Sequence, residues 1–202
     1  MLLLFHQADA NRHEYDPIAP RLVRAGFNCL AIDQRSGGGL WAGRNLTVEA
    51  LGHSTDFLGA LPDLEAALAW ARAAGHSGKV LVWGSSYSAA LVFLLAAKYP
   101  QEVAGVLAFS PAEYLPDKWA VRRAAKKLAI PVFITVAHGM DAGLDEEQSA
   151  RNIYEALPSR GKVFYVPLIL GRHGSATLRP DQNPLGMEEN WRAVLRFLRQ
   201  FG

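Results

Sequence analysis

Short, nearly unbroken apolar runs alternate along the chain with longer stretches whose apolar positions recur every three to four residues. The runs are Leu2–His6, Asn28–Asp33, Lys79–Gly84, Val103–Ser110, Ile130–His138 and Lys162–Leu170. They are mostly Val, Ile, Leu, Phe and Ala without polar alternation, which predicts strands covered on both faces. Asp16-Pro17 and Gly26 bracket a first helix with a cap, a proline in its first turn and a terminal glycine. Further helices are predicted over Asp56–Ala74, Tyr87–Tyr99, Lys118–Leu128, Asp145–Leu157 and Met187–Phe201. Such alternation implies right-handed βαβ crossovers and a parallel sheet with helices on both faces. The fold class is α/β.

A length of 202 residues fits one domain over 1–202. With 50% hydrophobic and 20% charged residues, the composition excludes a disordered or fibrous chain. A net charge of +2 is too small to imply a nucleic-acid partner. The single cysteine, Cys29, offers neither an internal disulfide nor a zinc pair, and its apolar run reads as a buried, inert thiol. No apolar run approaches the roughly 18 residues of a membrane helix. Met1–Phe5 lacks the basic flank of a signal peptide and reads as a buried strand. A chain opening on a core strand implies either a minimal fold or residues upstream. As it stands it reads as cytoplasmic, and an upstream segment would allow a secreted or periplasmic protein.

The long irregular connection from Gln34 to about Ser54 contains Gly37-Gly38-Gly39 and is expected to be flexible and to border the site. It lacks the spacing of a dinucleotide loop. Asn45-Leu46-Thr47 matches the glycosylation pattern. Lys118, Arg122, Arg123, Lys126 and Lys127 read as a solvated helix face.

The strongest chemical signal is Lys79-Val-Leu-Val-Trp83-Gly84-Ser85-Ser86-Tyr87-Ser88-Ala89-Ala90. An apolar strand, a tight turn of small residues and an Ala/Leu-rich helix form the layout of a nucleophile elbow. The residues two before and two after the nucleophile approach closely and must be small. Gly84 and Ser88 satisfy this for Ser86, whereas Trp83 excludes Ser85, and Ser88 lies a turn into the helix. The helix starting at Tyr87 directs its amides and positive dipole end at the serine.

A serine needs a base, and the base an orienting carboxylate. In such folds the order is serine, acid, histidine, at the carboxyl ends of successive strands. Only His138 and His173 lie downstream of Ser86, and His173 follows the last predicted strand. Asp141 and Asp145 both follow the Ile130–His138 strand. Asp141 is preferred because it leaves the strand end promptly, whereas Asp145 suits a helix N-cap.

These features resemble the α/β-hydrolase superfamily, most closely its serine-esterase, dienelactone-hydrolase-like branch. The resemblance covers nearly the whole chain. It rests on Leu4-Phe5-His6-Gln7-Ala8, Asp33-Gln34-Arg35, the Ser86 elbow, Asp141 and His173-Gly174. It implies a minimal sheet of six strands in the family order 4-3-5-6-7-8, with the two opening strands absent and little or no cap. It also implies a serine hydrolase cleaving small carboxylic esters through an acyl-enzyme, with Ser86, Asp141 and His173 as its triad. The oxyanion donors would be the N–H groups of Ala8 and Tyr87, with no cofactor and no metal. Gln7 stands where the family has glycine, and Ser88 replaces the last glycine of the elbow. An amidase, peptidase or thioesterase using the same triad, and a hydrolase-like binding protein, are the alternatives.

Overall fold

Successive residues of the innermost strands point to opposite faces, and both faces are dry. Leu3, Phe5, Val80 and Val82 belong to one buried cluster, and Leu2, Leu4, Leu81 and Trp83 to another. The computed structural model describes residues 1–76, 78–139 and 144–202. Its strands are β1 (Leu2–Phe5), β2 (Cys29–Ala31), β3 (Val80–Ser85), β4 (Val103–Phe109), β5 (Val132–Thr135) and β6 (Lys162–Tyr165). They form one sheet in the order β2-β1-β3-β4-β5-β6, and every neighbouring pair is parallel. In chain order this is the topology that the resemblance implies.

The helices are α1 (Ala19–Arg24), α2 (Leu46–Leu51), α3 (Leu61–Ala73), α4 (Tyr87–Lys98), α5 (Ala120–Ala125), α6 (Leu144–Ala156) and α7 (Met187–Leu198). α3 to α6 contribute Leu64, Leu91, Val121 and Ile153 to the first cluster, while α1 and α7 contribute Leu22, Trp191 and Phe197 to the second. α4 is buried almost all round, so its first turn lies deep in the molecule. Among the described residues no helix is long and apolar enough to cross a membrane.

Several elements are shorter than the sequence predicts, as β6 ends at Tyr165 instead of Leu170, and two segments differ in kind. The first helix starts at Ala19, because the Asp16 carboxylate turns to His13 Nδ1 at 2.8 Å and Pro20 occupies the first turn. Ahead of it, Arg12–Tyr15 forms a 3-10 turn capped by Asn11, whose side chain accepts the His13 N–H. The 34–54 connection holds α2, capped by Asn45 through Val48 N–H at 2.9 Å. Its glycines serve close approach rather than slack: a Cβ on Gly37 would stand 2.2 Å from Asn45 Nδ2 and 2.4 Å from the Ala10 carbonyl. Gly38 N–H and Leu40 N–H bond Ala10 O and Asp9 O, each at 2.8 Å. Asn45 itself is buried, with Nδ2 donating to Gln34 O at 2.8 Å, so it offers no glycosylation acceptor.

Candidate active site

The chain leaves β3 at the carboxyl edge of the sheet and turns into α4 at Ser86, whose φ of 57° and ψ of −121° lie outside the regions ordinary residues prefer. The turn is tied down by Ser86 N–H to Phe109 O and Ala89 N–H to Ser86 O, both 2.8 Å. A Cβ on Gly84 would lie 2.3 Å from the Ser88 carbonyl oxygen, so the two flanking residues meet backbone to side-chain position. This explains why the second elbow glycine is dispensable. Ser88 presents its main chain to Gly84, and its hydroxyl donates to His6 O at 2.6 Å and accepts from Gln34 Nε2 at 2.8 Å. Ser88→Ala would leave both partners short of a bond, at a cost of about 1–3 kcal/mol. We expect urea melts to register that loss, and kcat per titrated active site to fall by no more than about 10- to 100-fold, far short of the loss on removing a nucleophile.

His173 lies on the loop after β6, and its ring joins two side chains. Nε2 is 2.8 Å from Ser86 Oγ, and Nδ1 is 2.7 Å from Glu146 Oε2. A carboxylate on Nδ1 fixes the proton there and leaves Nε2 free to accept the serine proton. The other Glu146 oxygen accepts Ala137 N–H at 2.7 Å. Burial pushes the Glu146 carboxyl up, but the hydrogen bonds from His173, Ala137 and Ser110 together outweigh it and hold the group below its ordinary range. Glu146 therefore stays ionised beside the imidazole.

Asp141, the acid expected from sequence, lies outside the described residues. The carboxylate seated on His173 is Glu146, in the first turn of α6, and Asp145 beside it is exposed and already helical rather than capping. His138, the alternative base, pairs through its main chain with Gly171 (2.9 and 3.0 Å) and so pins the histidine loop to the loop after β5. Ser85 and Ser110 carry roles that sequence does not reveal. Ser85 Oγ accepts Ser175 N–H at 2.8 Å and Ser110 Oγ accepts Gly174 N–H at 2.9 Å, so the strand ends flanking Ser86 hold the His173 loop. Trp83 Nε1 adds a bond to Ser175 Oγ at 2.9 Å.

Of the residues expected to donate to an oxyanion, Ala8 and Tyr87 have backbone N–H groups with no acceptor among the described residues. The Gln7–Ala8 loop is braced by His6. His6 Nε2 accepts Gln34 N–H at 2.9 Å, so the ring proton sits on Nδ1 and donates to Gln7 O at 2.8 Å. Burial lowers the His6 pKa to about 4 and keeps this ring neutral. The motif Asp33-Gln34-Arg35 is likewise scaffold. Asp33 pairs with Arg12, Arg35 with Asp63, and Gln34 Nε2 reaches Tyr87 Oη at 2.8 Å.

A cleft of about 320 Å³ opens beside His173, lined by Gln7, Leu40, Trp41, Arg172, Ala176 and Gln182. The Gly37–Gly39 loop thus borders the site through Leu40 and Trp41. Tyr87 does not line this cleft: its ring is buried against Phe57, with ring centroids 4.5 Å apart. Trp119 is exposed beneath the Arg122 guanidinium, and Tyr114 donates to Ser110 O at 3.0 Å. Cys29 is half-buried on the edge strand, its thiol pushed up to about 11 by burial and therefore protonated.

Glu14, fully buried on the 3-10 turn, accepts Gln7 N–H at 2.7 Å. Burial raises its carboxyl to about 7, against the opposing pull of Ser85, the Gln7 N–H, Arg179 and His173. A folded pKa above the unfolded value of 4.5 means that the native state binds the proton more tightly, so this group's contribution to stability rises as pH falls from about 7 to 4.5. The difference corresponds to about 3 kcal/mol. We expect wild type to gain about that much over Glu14→Gln between pH 7.5 and 4.5 in urea unfolding, whatever their offset at pH 7.5. A pH-independent gap would contradict the raised pKa.

The family comparison now decides the class. The model described as "Serine aminopeptidase, S33" (Hydrolase_4) matches residues 1–152. The chain belongs to this α/β-hydrolase family. Its fold is shared with solved hydrolase structures. A monoacylglycerol lipase of Paleococcus ferrophilus superposes with a TM-score of 0.73 at 16% identity, covering 100% of this chain and 94% of that one. An esterase of Pyrococcus furiosus gives 0.70 at 21%, covering 99% and 82%. A dienelactone hydrolase of Anabaena variabilis gives 0.72 at 18%, covering 99% and 85%. At these identities the likeness is one of fold. Among curated proteins no sequence matches this chain.

Proposed function

We propose that this α/β hydrolase is a serine hydrolase cleaving carboxylic esters through an acyl-enzyme intermediate. The observation that carries the reading is the unbroken relay from Ser86 Oγ through His173 to the Glu146 carboxylate, at 2.8 and 2.7 Å. As Ser86 Oγ attacks the ester carbonyl, its proton passes to His173 Nε2, and Glu146 stabilises the imidazolium that forms. The carbonyl oxygen becomes an oxyanion, for which the unpartnered N–H groups of Tyr87 and Ala8 are the donors, reinforced by the amino end of α4. The imidazolium then protonates the leaving alcohol. In the second half, His173 takes a proton from water, the hydroxide equivalent attacks the acyl carbonyl, and Ser86 recovers its proton from His173.

Glu146 replaces Asp141 as the acid in this reading. The single domain has little or no cap: residues 110–119 alone connect β4 to α5, where this superfamily commonly inserts one. An open site beside a small cleft suits short acyl chains. A panel of p-nitrophenyl esters of graded chain length, with a matched anilide and thioester, tests the reading. Fastest turnover of the short esters supports it. Preference for the anilide or thioester would transfer the triad to an amidase, peptidase or thioesterase, and turnover of none would favour a binding protein.

A further inference from the structure

Among the described residues, Glu14 is a fully buried carboxyl beside the site that the mechanism above does not use. It has 0% exposure, and while Oε2 takes Gln7 N–H, Oε1 has no hydrogen bond among the described residues. Burying a carboxylate is costly unless a charge and hydrogen bonds offset it. Ser85 and the Gln7 N–H offset part of that cost, but among the described residues no cation pairs with the carboxylate directly. Arg179, the nearby guanidinium, directs Nη1 at the main-chain carbonyls of Glu14 (2.8 Å) and His13 (3.1 Å) and pairs with Asp181 (3.0 Å). Packing alone would be served better by a neutral side chain, so the charge calls for another explanation.

The explanation lies in what Glu14 holds. Gln7 joins two peptide planes. The plane after it is fixed at its carbonyl, which accepts from His6 Nδ1 at 2.8 Å and from Ala10 N–H at 3.3 Å. A trans peptide places its N–H opposite its carbonyl, so these bonds also set the direction of the Ala8 N–H. The plane before Gln7 is held at its carbonyl end by the Ser88 hydroxyl on His6 O at 2.6 Å, and at its N–H end by Glu14. One bond leaves a plane free to rock about its anchor, and Glu14 supplies the second. With both planes held, the dihedral angles at Gln7 are determined, in a chain where this position carries a side chain instead of the family's glycine. We propose that Glu14 is a positioning residue for oxyanion stabilisation: its ionised carboxylate clamps the Gln7 N–H and thereby holds the Ala8 N–H on the developing oxyanion. The inference rests on the serine-hydrolase reading.

The grip depends on charge, because a carboxylate acceptor binds an N–H about twice as strongly as a neutral one. The titratable and charged groups that face Glu14 are Arg179, His173, and the Tyr15 and Tyr87 hydroxyls. Burial drives both tyrosines upward and keeps them neutral, so Arg179 is the fixed charge facing the carboxylate. Acidification therefore loosens the clamp.

The test compares wild type, Glu14→Gln and Glu14→Asp in p-nitrophenyl acetate hydrolysis, with active sites counted by fluorophosphonate titration. Glu14→Gln keeps an acceptor and loses the charge; Glu14→Asp keeps the charge but is one methylene short of Gln7 N–H. Losing one oxyanion donor outright costs about 10²–10³ in kcat, so a misaimed one should cost about 10- to 100-fold per active site, with KM within about threefold. The acid limb of log kcat/KM against pH should be steeper in wild type than in Glu14→Gln. Glu14→Gln with wild-type kcat and an unchanged acid limb would overturn the inference alone, as would losses accounted for entirely by fewer titratable sites. A wild type that neither hydrolyses the ester nor takes up the phosphonate would overturn the serine-hydrolase reading, and this inference with it.

Discussion

Ser86→Ala should lower kcat by about a millionfold, the loss seen when a triad nucleophile is removed and only binding and oxyanion stabilisation remain. The expectation follows from the geometry. Neither of the other elbow serines is placed to replace Ser86. Ser85 Oγ is buried and occupied by Ser175 N–H, and Ser88 Oγ is turned away to His6 O. The substitution removes one hydroxyl from a strained turn and leaves the tie to Phe109 O intact. Circular dichroism and melting temperature should therefore stay close to wild type while ester turnover vanishes. Substantial residual activity in Ser86→Ala, with activity lost instead in Ser88→Ala, would shift the elbow by two residues.

Glu146→Gln should lower kcat by about 10⁴-fold with the fold retained, by the tautomer argument that applies to other triads. The two oxygens of Glu146 have different partners. Ala137 N–H needs an acceptor, so the oxygen of the introduced amide would settle there and turn its NH₂ toward His173 Nδ1. Nδ1 must then accept, the ring proton moves to Nε2, and Nε2 can no longer take the proton of Ser86. Asp141→Asn and Asp145→Asn, measured in parallel, should stay within about tenfold of wild type. If Asp141→Asn is the inactive variant and Glu146→Gln is active, the acid returns to Asp141 and the rest of the relay stands.

The parallel sheet was legible because strands buried on both faces leave continuous apolar runs such as Leu2–Phe5 and Val103–Phe109. The pairing of Ser86 with His173 was legible because chain order and sterics restrict both residues. Trp83 removes Ser85 from contention, and only two histidines follow Ser86. The carboxylate beside His173 was not legible, because proximity to the strand end favoured an aspartate while Asp145-Glu146-Glu147 looked like charges at a helix start. A signal was present, however. Glu146 precedes buried Ala150 and Ile153 by four and seven residues, which places it on the inward stripe of α6. A glutamate is long enough to reach the imidazole from there.

Glu14 was illegible for a different reason. Arg12–Tyr15 is a single 3-10 turn, too short for hydrophobic periodicity to reveal, and its two buried members, Glu14 and Tyr15, are adjacent rather than spaced. The helix in the 34–54 connection was hidden because glycines read as slack, whereas Gly37 packs against Asn45 and Ala10.

The central claim is that Ser86 becomes acylated, and rapid-quench mass spectrometry with p-nitrophenyl acetate tests it most directly. The account predicts a burst of nitrophenol equal to the number of active sites and one acetyl group, mapped by peptide fragmentation to Ser86, that decays at the steady-state rate. The adduct should be absent from Ser86→Ala. Turnover with no burst and no adduct, or an acetyl group on another residue that decays at that rate, would contradict it.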